Sequence, residues 1–336
     1  MPCTAVFLLY YYNLMDLKNA IQSSLYAGIV GDALGVPDEI SVTAGQNLCE
    51  VKNMLGYGRF DQPEGTWSDD TSMMLCTMES LIRGYNIDDL GKTLCRWLYE
   101  GYCTPCGFAF DVGLTTFMAL DSIYTDGKSA RESGCNTADD NGNGALMRML
   151  PAALYFHKLP LEQFLNTIHE ISGITHSHAR SKIGCGIYAL LIRELLHNNT
   201  NKLTAYQQAI ARAQDYYNAF EEFQIELHHY SRLLSGTLAT LTHAEIEASG
   251  YIVRTLESGI WCFLNFNDTF DILRHAVELG RDTDTSAMIP GSFAGIVYGL
   301  KNIPAHWLDS LAQKENIDTR ITAFVNNVTH DQLNQQ

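Results

Sequence analysis

The chain has 336 residues, 46% of them hydrophobic, and its 38 acidic and 22 basic residues give a formal net charge of −16. This length and composition are typical of a globular protein with a sizeable core in one or two domains. The acidic charge argues against DNA or RNA as a partner, because phosphates need a basic surface, and the chain has no run of eighteen apolar residues to span a membrane.

The first predicted helix begins near residue 16. Residues 1–14 are apolar and aromatic but lack the basic region and small-residue cleavage site of a signal peptide, so we interpret them as an N-terminal extension. Asp16 is predicted as the N-cap, and Leu17, Ile21 and Leu25 recur at helical spacing behind it.

A segment rich in glycine and acids, G-D-A-L-G-V-P-D-E, runs from Gly31 to Glu39. One interpretation is a glycine-terminated helix followed by proline and surface acids. The alternative is functional, with Glu39 as a mobile acid or base beside metal ions.

The first acidic cluster is G-T-W-S-D-D-T, and it precedes a predicted helix that carries Met74, Met78 and Ile82 at helical spacing. Ser68 or Asp69 could serve only as a helix cap, with the next acid favouring the helix dipole. Since neighbouring helical residues point about 100° apart, Asp69 and Asp70 could also reach two different ions.

Nine cysteines without paired spacing predict reduced thiols and a cytoplasmic protein. Cys103 and Cys106 form a single C-x-x-C. The second pair that a structural zinc site needs is missing, so both are predicted to be ordinary thiols.

Two loops could contact a ligand. N-G-N-G-A-L-M-R, from Asn141 to Arg148, combines glycines with amides ahead of a helix, which suits a phosphate but is also common in a simple turn. I-T-H-S-H contains His176 and His178 without a convincing third imidazole. It therefore indicates either a histidine that binds phosphate or ribose, or a capping loop.

The second acidic cluster, G-R-D-T-D-T, follows two predicted helices, one from Ile252 to Leu264 and one capped by Asp268 or Thr269. It precedes a third predicted helix, 285–300, whose glycines and serine indicate close packing on its neighbours. The cluster itself places Asp282 and Asp284 at a helix start.

Together the two clusters offer four carboxylates and several hydroxyls, with no cysteine or histidine inside either. Such hard oxygen ligands suit Mg²⁺, Mn²⁺ or Ca²⁺ and disfavour zinc or copper. Four carboxylates can neutralise two divalent ions, and two adjacent ions can orient a water and polarise the atoms that it attacks.

Helical periodicity dominates the chain, strand patterns are scarce, and no repeat or flexible linker interrupts it. We predict an all-α fold, a single compact multi-helix bundle with a binuclear metal cleft. The predicted domain spans 15–315, followed by a C-terminal tail at 316–336. We expect a monomer.

Read in order, these segments resemble the ADP-ribosylglycohydrolase family. The resemblance runs from about Leu25 to Trp307, and seven segments in the family's order make it specific. It is carried by G-D-A-L-G-V-P-D-E, G-T-W-S-D-D-T, F-D-V-G-L-T-T, N-G-N-G-A-L-M-R, I-T-H-S-H, G-Y-I-V-R-T-L-E and G-R-D-T-D-T.

The resemblance implies a role for each matching residue. Two Mg²⁺ or Mn²⁺ ions would be held by Ser68, Asp69, Asp70, Asp282, Asp284 and Thr285. ADP-ribose would be bound by Asp111, Gly113, Asn141, Asn143, Gly144, Ala145, His176 and Tyr251. Glu39, or one of Asp69 and Asp70, would serve the proton transfers. Asp32 would support the site from behind. Arg281 departs from the family, which commonly has glycine there, and we expect it to act at the acceptor end.

The implied activity is metal-dependent release of ADP-ribose from a modified protein side chain, through an oxocarbenium-like state. The segments 250–257 and 280–285 look closer to those of the family's bacterial arginine-type enzymes, and this resemblance favours arginine-linked ADP-ribose. Serine-linked or other O-linked ADP-ribose stays an alternative, as does a non-enzymatic ADP-ribose-binding relative. A helical diphosphate lyase is disfavoured, because Asp70 is followed by Thr71, Ser72, Met73 and Met74 and not by a D-D-x-x-D stripe.

Overall fold

The computed structural model describes residues 3–39, 53–198 and 201–330. Within these ranges the chain forms α-helices, short 3₁₀ turns and three isolated β-bridges, with no strand. The helices are α1 Cys3–Gly35, α2 Asp69–Ile82, α3 Ile87–Glu100, α4 Leu114–Tyr124, α5 Met149–Phe156, α6 Leu161–Gly173, α7 Ala179–Asn198, α8 Lys202–Tyr217, α9 Glu221–Gln224, α10 Ser231–Leu234, α11 Ile252–Asn265, α12 Thr269–Glu278, α13 Thr283–Tyr298, α14 Ala305–Ser310 and α15 Lys314–His330. The prediction of an all-α fold is confirmed.

Helices α1 and α13 pack against each other at the centre of the fold, at distances that only glycine permits. A Cβ added at Gly295 would lie 2.2 Å from the carbonyl oxygen of Ser23, and one added at Gly35 would lie 2.3 Å from the backbone nitrogen of Asp284. The close packing predicted for the last glycine-rich helix is therefore confirmed. This contact also fixes the start of α13 against the end of α1.

The start of the first helix differs from the prediction. Helix α1 begins at Cys3, so Asp16 lies inside the helix and is not its N-cap. Residues 3–15 contain no glycine or proline that could end the helix, so it continues towards the N-terminus as far as Cys3. The helix therefore passes through the boundary expected between residues 14 and 15.

The other predicted helices lie close to their expected places. Helix α11 begins after Tyr251, and α12 begins after Asp268, whose side chain accepts a hydrogen bond of 2.7 Å from the backbone N–H of Asp271. Helix α13 begins at Thr283, two residues earlier than expected. Local periodicity and capping were sufficient for these elements.

The last helix, α15, continues past the predicted domain end at residue 315. Ile317, Ile321 and Phe324 are completely buried on one face of this helix. The described part of 316–336 therefore contributes to the core, while residues 331–336 lie outside the described residues.

No helix in the described ranges has the length and apolarity needed to cross a lipid bilayer. Seven cysteines whose side chains the structure describes, Cys103 and Cys106 among them, are free thiols.

Candidate metal centre

The two acidic clusters meet where α2 and α13 begin. The hydroxyl oxygen of Thr285 lies 3.3 Å from a carboxylate oxygen of Asp70 and 3.3 Å from one of Asp282. The structure thus brings together two motifs that are more than two hundred residues apart in sequence. Asp70 and Thr285 are buried, and Asp282 is half-buried.

Asp32, near the end of α1, holds the start of α2. Its carboxylate accepts hydrogen bonds of 2.9 Å from the backbone N–H groups of Ser68 and Thr71. Ser68 is the N-cap of α2, and its hydroxyl accepts a 3.3 Å hydrogen bond from the backbone N–H of Asp70. The capping interpretation of Ser68 is therefore correct, and capping leaves other lone pairs of this oxygen available to an ion.

Two groups of three carboxylates share one member. Oxygen atoms of Asp69, Asp70 and Asp284 all lie within 4.8 Å of one another, and so do oxygen atoms of Glu39, Asp111 and Asp284. Asp284 belongs to both groups and therefore lies between two potential ion positions. The sequence predicted the first group but placed Glu39 and Asp111 among catalytic and ligand-binding residues.

The acids disfavour each other's ionisation. Burial, followed by the negative charge of Asp284, raises the pKa of Asp32 and that of Glu39 to about 7 each. The same two causes raise the pKa of Asp69 and Asp70 well above the usual range. Burial and the charge of Asp69 do the same to the pKa of Asp111.

The hydrogen bonding of these carboxylates fits a site for divalent cations. One carboxylate oxygen in each group, Oδ2 of Asp70 and Oε2 of Glu39, is buried without a hydrogen-bond partner among the described residues. Buried charges of this kind need a partner, and within the described ranges neither residue forms an ion pair with a basic side chain. Hard cations such as Mg²⁺ or Mn²⁺ match an all-oxygen donor set.

Asn143 connects the candidate metal centre to the neighbouring loop. Its side-chain amide donates to Asp282 at 2.6 Å and to Thr255 at 3.1 Å. Because both amide hydrogens are engaged, Asn143 orients the carboxylate of Asp282, and its side chain has only its oxygen left for a ligand.

A cavity of about 260 Å³ lies beside the carboxylates. It is lined by Glu39, Asp69, Asp111, Gly113, Leu114, Thr115, Thr116, Gly142, Asn143, Gly144, Met147, His176, Gly250, Asp282 and Thr285. Nine of these were site residues predicted from the sequence. A larger cavity of about 370 Å³, around Arg131 and His169, contains none of the predicted residues.

The predicted phosphate loop forms one wall of the cavity and is tied to its neighbours by backbone hydrogen bonds. The N–H of Asn143 donates to the carbonyl oxygen of Gly250 at 2.9 Å, so this amide is not free for a ligand. In the described structure, the N–H groups of Gly142, Gly144 and Ala145 have no hydrogen-bond acceptor. Among the described residues, Asn143 is therefore the member of the 141–145 segment whose backbone N–H is shown to be engaged.

Gly144 also allows close approach. A Cβ at this position would lie 2.7 Å from the hydroxyl oxygen of Thr116 and 3.0 Å from Cε1 of His176. A side chain here would fill the wall of the cavity, which explains why glycine stands at this position.

Some predicted ligand-binding residues lie at the edge of the site. The side chain of Asn141 is engaged by Ser181 and His178, at 2.9 and 3.1 Å. Tyr251 is half-buried, and its hydroxyl accepts a 3.3 Å hydrogen bond from Arg180. Neither Asn141 nor Tyr251 lines the cavity.

Asp111 was predicted only as a neighbour of the ribose, yet it belongs to a carboxylate group. Its backbone has φ = +57°, a conformation uncommon for a residue with a side chain. A left-handed residue just before α4 gave no signal in the sequence. Thr116, from the same F-D-V-G-L-T-T motif, also lines the cavity and was not predicted.

Arg281 precedes the second acidic cluster but points away from it. Its side chain is 60% exposed and lies 3.7 Å from Glu247, which is also exposed. It does not line the cavity. Its φ of +67° explains why glycine suits this position.

Comparison with known proteins places the chain in a family. The family model for ADP-ribosylglycohydrolase matches residues 13–335. A protein from Serratia proteamaculans (strain 568), ADP-ribosylarginine hydrolase Tri1, is 30% identical over 291 residues, covering 86% of this chain and 74% of that protein. ADP-ribosyl-[dinitrogen reductase] glycohydrolase from Rhodospirillum rubrum is 27% identical, covering 87% of this chain and 90% of that protein.

A solved structure supports the same assignment. The ADP-ribosylglycohydrolase-related protein complex superimposes with a TM-score of 0.77 and 28% identity, covering 94% of this chain and 99% of that chain. This chain belongs to the ADP-ribosylglycohydrolase family.

Proposed function

We propose that this protein is a hydrolase, dependent on two Mg²⁺ or Mn²⁺ ions, that releases ADP-ribose from a modified arginine side chain of a protein. The observation that carries the proposal is the pair of carboxylate groups sharing Asp284, each with a buried carboxylate oxygen that has no hydrogen-bond partner among the described residues. Family membership and the resemblance to an ADP-ribosylarginine hydrolase support the choice of substrate.

The ions would be held by Asp69, Asp70, Asp282 and Asp284, with the hydroxyls of Ser68 and Thr285. Glu39 and Asp111 complete the second carboxylate group. When bound, divalent ions neutralise these acids and polarise the oxygen atoms of the reacting groups.

The chain's own residues would orient the substrate. The N–H groups of Gly142, Gly144 and Ala145 suit the diphosphate, because backbone amides in a glycine-rich loop bind phosphate oxygens. His176 lines the same wall of the cavity. Glu39 also lines this cavity, and its carboxylate lies beside that of Asp111; it would exchange a proton with the glycosidic bond.

Binding of ADP-ribose tests the ligand assignment. With Mg²⁺ present, ADP-ribose at about 100 times its Kd should stabilise the fold by roughly 2.7 kcal/mol, because it binds only the folded state. His176→Ala and Tyr251→Ala should weaken the shift in melting temperature. The absence of any shift in the wild type contradicts the ligand assignment.

The linkage is tested separately, by comparing the initial rate of ADP-ribose release from arginine-modified and serine-modified proteins. We expect the arginine-linked substrate to react faster. A faster serine-linked reaction would refute the arginine assignment and leave the hydrolase assignment standing.

A further inference from the structure

Arg148 is a buried cation that has no carboxylate partner among the residues that the structure describes. It lies just after the glycine-rich loop and is completely buried. Within the described ranges no acidic side chain forms an ion pair with it, and burial lowers the pKa of its guanidinium only to about 10, so it stays charged at neutral pH. An unpaired buried cation is costly, which indicates that this charge has a role.

The guanidinium joins two walls of the ligand cavity. Nη1 donates to the carbonyl oxygen of Gly144 at 2.9 Å. Nη2 donates to the hydroxyl of Thr175 at 2.7 Å and to the carbonyl oxygens of Ile171 and Ser172 at 3.1 Å. Arg148 thus links the glycine-rich loop to the segment that carries His176.

The hydroxyl of Thr175 connects the guanidinium of Arg148 to the imidazole of His176. Its hydroxyl oxygen lies 2.8 Å from Nδ1 of His176. The oxygen already accepts a hydrogen bond from Arg148, which can only donate. In the described part of the chain the hydroxyl has no other acceptor than Nδ1 of His176. Its hydrogen therefore points to Nδ1, since a buried hydroxyl hydrogen without an acceptor is unfavourable.

A neutral imidazole that accepts at Nδ1 carries its proton on Nε2. Nε2 faces the glycine-rich loop, because a Cβ built on Gly142 or on Gly144 would lie 3.6 Å from it. Nothing among the described residues forms a hydrogen bond with Nε2. The Nε2–H group is therefore directed at the cavity wall that has the free amides of the loop.

We propose that Arg148 and Thr175 are positioning residues that fix His176 as the neutral tautomer with its proton on Nε2, presented as a donor to the diphosphate of ADP-ribose. The ligand named here rests on the function proposed above. Burial, followed by the positive charge of Arg148, lowers the pKa of His176 to about 3, so the imidazole stays neutral in the working pH range. Arg148 contributes its charge from behind the loop, where it favours an anion.

The test is the protonation state of His176, observed by two-dimensional ¹H–¹⁵N spectroscopy of the imidazoles in the ¹⁵N-labelled full-length protein. His176→Asn identifies the signals of this residue among the eleven histidines. We expect the wild type and Thr175→Ser to hold the proton on Nε2 unchanged between about pH 8 and pH 5. Thr175→Val should lose this preference, and its Kd for ADP-ribose should rise roughly ten-fold, as for the loss of a charge-assisted hydrogen bond.

Thr329→Val is the matched control, since it removes another buried threonine hydroxyl, one that donates to the carbonyl oxygen of Val325 in α15. It should change neither the tautomer nor the affinity. A wild-type His176 with its proton on Nδ1 overturns the proposal, even if Thr175→Val does not fold.

Affinity separates this proposal from the proposed function. If the wild type binds ADP-ribose and Thr175→Val binds it equally well, the positioning role is refuted and the proposed function stands. If the wild type holds the Nε2 tautomer but does not bind ADP-ribose, the proposed function is refuted. The proposal that His176 is positioned as a donor for this ligand is then refuted as well.

Discussion

The hydroxyl oxygen of Thr285 lies 3.3 Å from a carboxylate oxygen of Asp70, although 215 residues separate them in sequence. This contact joins the starts of α2 and α13. Substitutions in either acidic motif should therefore act on one site and not on two independent caps.

Asp284→Asn should reduce turnover by more than about 100-fold, because Asp284 belongs to both carboxylate groups and even residues behind a metal site affect activity 10–100-fold. The metal-free variant should melt at a higher temperature than the metal-free wild type, since the substitution removes a charge that repels the buried neighbours of Asp284. Steady-state kinetics and thermal denaturation in EDTA measure both effects. Asp126→Asn, an exposed change of the same kind, should alter neither, and full activity of Asp284→Asn would refute its role.

Stabilisation by Mg²⁺ should increase with pH. In the metal-free fold the pKa values of Glu39 and Asp32 are raised to about 7. Their contribution to stability is therefore fully present when the pH is below the pKa that these acids have in the unfolded chain, and it is lost as the pH rises through 7. Metal binding must displace these protons and is therefore weaker at low pH.

We expect the difference in melting temperature between samples with Mg²⁺ and with EDTA to be greater at about pH 8 than at about pH 6, by at least roughly 2 °C. The buried histidines titrate in both samples and largely cancel in this difference. A difference that does not change with pH contradicts the assignment of these acids to the metal centre.

Arg281→Gly should stabilise the protein relative to Arg281→Ala by about 1 kcal/mol, because glycine adopts the observed φ of +67° without strain. Both variants lose the weak contact with Glu247, so comparing their stabilities isolates the effect of the backbone conformation.

The same two variants test the expected role of Arg281 at the acceptor end. The ratio of kcat/KM for arginine-linked and serine-linked substrates should change in both variants. An unchanged ratio would refute the role of Arg281 at the acceptor end.

Phe324→Ala should lower the free energy of unfolding by about 3–5 kcal/mol, because the ring is completely buried in α15. Thr322→Ala, at an exposed position of the same helix, should have little effect. Chemical denaturation measures both. Near-equal stabilities would instead support the sequence-based prediction that the domain ends at residue 315.

The sequence predicted the elements whose signals are local. The cap at Asp268 and the helix that begins within the S-D-D-T motif follow from neighbouring residues, and the convergence of two acidic clusters follows from the chemistry of buried carboxylates. The predicted start of α1 was wrong. An aspartate resembles an N-cap wherever it stands, and only a helix-breaking residue before Asp16 would have ended the helix there.

The remaining features depend on contacts between distant residues. The carboxylate of Asp111 joins those of Glu39 and Asp284 from a left-handed backbone, and the guanidinium of Arg148 reaches Thr175 across 27 residues. A single sequence carries no signal for either contact.

The most direct test is the release of free ADP-ribose from an arginine-modified protein, measured with Mg²⁺ or Mn²⁺ and with EDTA. We predict that the wild type releases ADP-ribose with metal, that EDTA abolishes the release and that renewed Mg²⁺ restores it. Release that is equally fast in EDTA, or no release with either metal from both arginine-linked and serine-linked substrates, would contradict a metal-dependent ADP-ribosyl hydrolase.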